Sequence, residues 1–98
     1  MKTFKEYLNE AKGDGYEFST LTTNVDGKVA KLKIELFKNV KLKSAKDIVS
    51  IQYKGDDLYN SAQNYTHLKT GKPTMLFNNE DSPYRLFLTL DMKNVYFE

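Results

Sequence analysis

Apolar and polar residues alternate along this chain with the period of half-buried β-strands. In Lys28–Phe37, Ala30, Leu32, Ile34 and Leu36 point one way; Lys31, Lys33, Glu35 and Phe37 point the other. Residues 84–92 repeat the pattern, with Tyr84, Leu86, Leu88, Leu90 and Met92 set against Arg85, Phe87, Thr89 and Asp91. Residues 48–54 read as another strand, with Val49, Ile51 and Tyr53 on one side and Ile48, Ser50 and Gln52 on the other. Residues 16–23 are β-prone, and the Asp26-Gly27 pair that follows is a hairpin turn signal. Residues 74–77 form a short strand, and 94–98 extend the sheet or fray.

Two segments carry helical spacing instead. Phe4, Tyr7, Leu8 and Ala11 lie on one helical stripe, with Thr3 and Glu6 as a capping box. Gly13-Asp14-Gly15 stops that helix and makes a flexible joint. Leu58, Ala62, Tyr65 and Leu68 give a partial stripe over 58–69, with Asp57 as its cap and Gly71 and Pro73 as its stop. Residues 39–47 are polar and basic, a loop or single turn. The sum predicts an α+β fold: a mostly antiparallel sheet of about five strands, one central helix and a short N-terminal helix.

A chain of 98 residues is one domain's worth. It has no Cys and a single His, His67, so thiolate chemistry, disulfides and two-histidine metal sites are excluded. Thr66 and His67 are helical neighbours that would not face each other, so they make no nucleophile–base pair. The acid pairs Asp56-Asp57 and Glu80-Asp81 sit in turn-like segments, where Asp caps and bonds locally. Gly13-Asp14-Gly15 follows no strand and is no phosphate loop. These residues call for no enzyme activity, no metal and no cofactor. No apolar run approaches the roughly 18 residues that span a bilayer, so no membrane partner is expected.

Charge adds a direction. The net charge is only +2, but it is unevenly placed. Between Gly27 and Lys46, seven lysines stand against Glu35 alone; from Asn78 onward, acids outnumber bases. The molecule is polarised if these segments lie apart in space. Lys31, Lys33, Lys38, Lys41 and Lys43 form a candidate patch for DNA phosphates or an acidic host protein. The plainer reading is a solvated strand face that guards a sheet edge. Arg is nearly absent, which disfavours base reading. Tyr53, Tyr59 and Tyr65, placed around the expected central helix, form a candidate aromatic patch for a partner protein.

Residues 1–11 read Met-Lys-Thr-Phe-Lys-Glu-Tyr-Leu-Asn-Glu-Ala. This resembles the leader of internal head proteins in large contractile-tailed phages, Met-Lys-Thr-aromatic-x-Glu-aromatic-(Leu/Ile)-x-Glu-Ala. The resemblance covers this stretch alone and meets every fixed position of the pattern. It implies that the leader directs the protein into the prohead core. It also implies that a prohead protease cuts after (Leu/Ile)-x-Glu, before a small residue. Leu8, Glu10 and Ala11 fit that rule, and the implied cut lies between Glu10 and Ala11. The expected organisation is a targeting segment, 1–10, and one globular domain, 11–98. The family likeness implies residence in the phage head, then delivery with DNA into the host cytoplasm. The implied role is to bind and inhibit a host defence factor, as in anti-restriction, or another host-takeover target. The alternative is a nonspecific DNA-associated structural protein of the head.

Overall fold

The computed structural model describes residues 15–66 and 70–98, the side chains of 62–65 excepted. Seven strands follow one another: β1 (Tyr16–Val25), β2 (Lys28–Phe37), β3 (Ser50–Tyr53), β4 (Asp56–Thr66), β5 (Pro73–Asn78), β6 (Arg85–Thr89) and β7 (Asn94–Phe97). They close into a barrel in chain order. Each sequential pair is antiparallel, while β7 returns parallel to β1 through Asn24↔Asn94 and Val25↔Val95.

Turn chemistry drives this meander. Asp26 and Gly27 have φ of 52° and 80°, and Val25 pairs directly with Lys28 across them. Lys54 and Gly55 repeat the arrangement at 50° and 86°, between the paired Tyr53 and Asp56. Two residues with positive φ make the tight hairpin whose twist matches its strands.

The expected α+β architecture is therefore corrected to a seven-stranded barrel. The segment read as a central helix is β4. Gly55 completes a hairpin turn rather than making a break, and Asp56 and Asp57 open a strand rather than cap a helix. Asn60, Ser61, Asn64, Tyr65 and Thr66 are weak helix formers, so propensity offers no resistance. An irregularity between Asn60 and Asn64 shifts the register of β4 against β5. Such a bulge breaks the two-residue period and lets Leu58, Ala62 and Tyr65 mimic helical spacing. The strand expected over 84–92 ends at Thr89 because Met92 turns with φ of 63°. The N-terminal helix expected over 3–11 lies outside the described residues.

The barrel interior is built by the alternating positions. Leu32, Ile34, Leu36, Ile51, Leu58, Met75, Phe77, Leu86, Leu88 and Val95 form one buried cluster. Phe77, Ile34, Ile51, Leu58, Leu86 and Leu88 have no exposed surface at all. A short 3₁₀ turn, Ala45–Asp47, adds Ala45 to this cluster, followed by Ile48. Its Ser44–Asp47 capping box is complete, and the Ala45 N–H donates to the Leu90 carbonyl at 3.4 Å. The β2–β3 connection is thereby tied to the β6–β7 turn.

That second turn depends on an acid. The Thr89 hydroxyl donates to the Asp91 carboxylate, and the Lys93 N–H donates to the same oxygen at 3.0 Å. These two bonds, the hydroxyl first, hold the Asp91 carboxyl below the ordinary aspartate value of 3.8. A depressed folded pKa stabilises fully above the unfolded value, and the contribution is lost as pH falls through the lowered one. Asp91 is exposed, so screening keeps the effect small. We expect Asp91→Asn to weaken the barrel slightly at neutral pH and to flatten the acid limb of its stability profile. Denaturant midpoints measured from pH 7 down to acid would show both; a limb unchanged in the variant would refute the role.

Candidate functional site

The hairpin register decides which residues meet on the outside of the barrel. Ile34 pairs with Ser19 on β1 and Ile51 on β3, and it points inward. Lys33 and Glu35 therefore point outward, and so do their cross-strand partners: Thr20 and Gln52 for Lys33, Phe18 and Ser50 for Glu35. Lys31 follows on the same face, opposite Thr22. The outer surface of β1–β2–β3 is thus assembled from Phe18, Thr20, Thr22, Lys31, Lys33 and Gln52, all of them exposed.

Two features mark this face. Phe18 is 55% exposed, and the Lys33 Nζ lies 4.3 Å from its ring centroid. This is cation–π distance, so the ammonium is held over the ring while remaining in water. At the start of the hairpin, Tyr16 and Phe37 pair across the strands with centroids 5.2 Å apart and planes 25° apart. The only outward acid on the three strands is Glu35, which is buried and accepts from the Ser50 hydroxyl at 2.8 Å. Among the described residues, this face presents no exposed carboxylate.

The five lysines singled out from sequence are all exposed. Lys31 and Lys33 stand on β2, while Lys38, Lys41 and Lys43 occupy the loop that continues from its end. They follow the length of one strand and the loop beyond it rather than forming a compact cluster. The polarity expected from the charge count holds only between the strands themselves. β2 and β6 are separated by two strands one way round the barrel and by three the other way, but the lysine-rich loop after β2 reaches the β6–β7 turn through the Ala45–Leu90 bond, so the two segments meet there.

The tyrosine patch is not assembled. Tyr53 shares its parity with the inward Ile51, whereas Tyr59 neighbours the inward Leu58 and points outward. A strand, unlike a helix, sends successive side chains to opposite faces. Tyr65, by its side chain, lies outside the described residues, as do His67, Leu8, Glu10 and Ala11. Asp56 and Asp57 bond locally: Asp56 accepts from the Ser82 hydroxyl at 2.9 Å, and the Asp57 carbonyl accepts from the Asn79 side chain at 2.9 Å. These bonds fasten the β5–β6 loop to the β3–β4 turn.

Tyr53 instead joins Tyr84 and Phe97 at one barrel mouth. Its ring centroid is 5.0 Å from Tyr84, edge-on, and 4.9 Å from Phe97. The Lys54 ammonium sits over both tyrosines, at 5.4 and 5.7 Å. An open cleft of about 280 Å³ lies between these rings and the Asp26 turn. Its aromatic floor packs against the core, which gives it a sufficient role as the barrel's plug. Among the described residues, no group of three His, Asp or Glu side chains could hold a metal ion.

Sequence reasoning missed Phe18 and the Tyr84–Phe97 pair. Phe18 was legible in principle. The Asp26-Gly27 turn fixes Val25 opposite Lys28, and counting back from it places Phe18 opposite Glu35 and diagonal to Lys33. The mouth was not legible, because it needs the closure that brings the start of β7 beside the end of β1. The chain matches no protein-family model, no curated protein and no solved structure.

Proposed function

We propose that this chain is an internal head protein of a contractile-tailed phage. In this reading it is packaged by its leader, cut between Glu10 and Ala11, and delivered with the DNA. The mature barrel then works in the host cytoplasm by binding, not by catalysis. A host defence or takeover factor is the target class the leader's likeness implies. The observation that carries the reading is where the fold begins. The seven described strands begin at Tyr16, so every strand pairing among the described residues lies downstream of the implied cut. The buried cluster likewise draws its described members from the strands and from the loop between β2 and β3. A leader can be discarded only from a fold that does not use it.

Mass spectrometry of purified virions tests this directly. The expected result is a semi-specific peptide beginning at Ala11, with no intact Glu10–Ala11 bond in mature heads. Full-length chain in the particle, or no chain there at all, would remove the proposal. The Glu10→Ala chain offers a further check, since it should enter heads and stay uncut.

A further inference from the structure

The outer face of β1–β2–β3 has the composition of a surface that grips a single-stranded nucleic acid, and we propose that this is its ligand. The inference rests on the preceding reading only for the setting in which the barrel meets such a strand. Three observations carry it.

The first is charge without a counter-charge. Lys31 and Lys33 project from adjacent outward positions of β2, and Lys38 continues beyond its end. Outward neighbours on a strand are about 7 Å apart, so the Lys31 and Lys33 ammonium groups are spaced along the strand, not gathered at a point. The outward acid among them, Glu35, is sealed beneath the surface by burial and by Ser50. A line of cations with no exposed carboxylate is complementary to a polyanion, and each phosphate neutralised releases counterions.

The second is the ring. Phe18 is the most exposed aromatic side chain of the described residues, and it lies on the same face as the lysines. More than half of the ring is in water. Every base has a π-face, so a solvent-facing ring beside ammonium groups suits a base whose phosphate meets Lys33. An acidic protein would satisfy the lysines but would give a flat ring no matching partner.

The third is the absence of recognition tools. Arg85 is the chain's single arginine and leans over Phe87, on another part of the barrel. Lysines give no bidentate base contact, and a convex sheet face does not fill a duplex groove. The surface is therefore suited to unpaired strands and is tolerant of sequence.

Fluorescence anisotropy of the full chain with a labelled oligothymidylate tests the proposal. We expect binding at low salt that weakens with salt at a log–log slope of about −2, since each phosphate contact on a single strand contributes about −0.7. Phe18→Ala should weaken binding about ten-fold, while Phe18→Tyr should retain it. The double variant Lys31→Gln, Lys33→Gln should lower affinity and reduce the slope by about 1.4. Lys72→Gln, just before β5 on the other side of the barrel, should change neither. A duplex of equal length should bind less well. No binding at low salt, equal affinity for a polyglutamate chain, or an unchanged affinity in folded Phe18→Ala would each overturn the proposal. None of these results bears on the peptide that begins at Ala11, so failure here is separate from failure of the virion reading.

Discussion

Replacing Phe77 with alanine should destabilise the barrel by about 3–5 kcal/mol and leave much of it unfolded at 37 °C. Phe77 has no exposed surface and belongs to the central cluster. It is held in register from both sides, opposite Asn60 on β4 and Leu86 on β6. A closed barrel relaxes poorly into such a gap, because its walls are tied into a hydrogen-bonded ring. Small domains of this size retain about 5 kcal/mol in total, so the loss is nearly all of it. Phe77→Leu keeps most of the volume and should cost roughly 1–1.5 kcal/mol. Urea midpoints followed by far-ultraviolet circular dichroism would separate the two variants. A Phe77→Ala midpoint close to that of the parent would mean that the barrel centre is not packed as described.

The inside of this barrel was more legible than its outline. Leu32, Ile34, Leu36, Leu86 and Leu88 follow from simple alternation, and every one of them is buried. Alternation is local physics: a half-buried strand must send successive side chains to opposite environments. The outline depends on events between distant residues. The bulge between Asn60 and Asn64 disguised β4 as a helix, and the turn at Met92 separated two strands that read as one. Lys54-Gly55 makes as tight a hairpin as Asp26-Gly27, but lysine is an uncommon first residue for it, so its signal is weak. The candidate face was half legible. Its lysines stand out in a count, yet their coupling to Phe18 needs the register between β1 and β2. Tyr53 and Tyr59 were grouped by a helical picture, and a strand sends them to opposite faces.

Asn24→Pro should open the barrel seam, with an expected loss of about 2–4 kcal/mol and a tendency to self-associate. The closure of β1 on β7 rests on two paired positions, the shortest junction in the barrel. Asn24 is its clasp: the backbone N–H donates to the Lys93 carbonyl at 3.0 Å, and the side-chain amide donates to the same carbonyl at 3.2 Å. Proline removes both donors at once. Asn24→Ala removes only the side-chain bond and should cost about 1 kcal/mol. The comparison isolates the backbone bond, since position 24 contributes no residue to the buried cluster. A sheet whose first and last strands part company exposes two unpaired edges, and such edges pair with other chains. Light scattering should therefore find larger species for Asn24→Pro at concentrations where Asn24→Ala stays like the parent. Loss of stability without association would mean that the freed edges are protected. Unchanged stability would mean that the barrel does not depend on its seam and that β1 to β6 hold together as an open sheet.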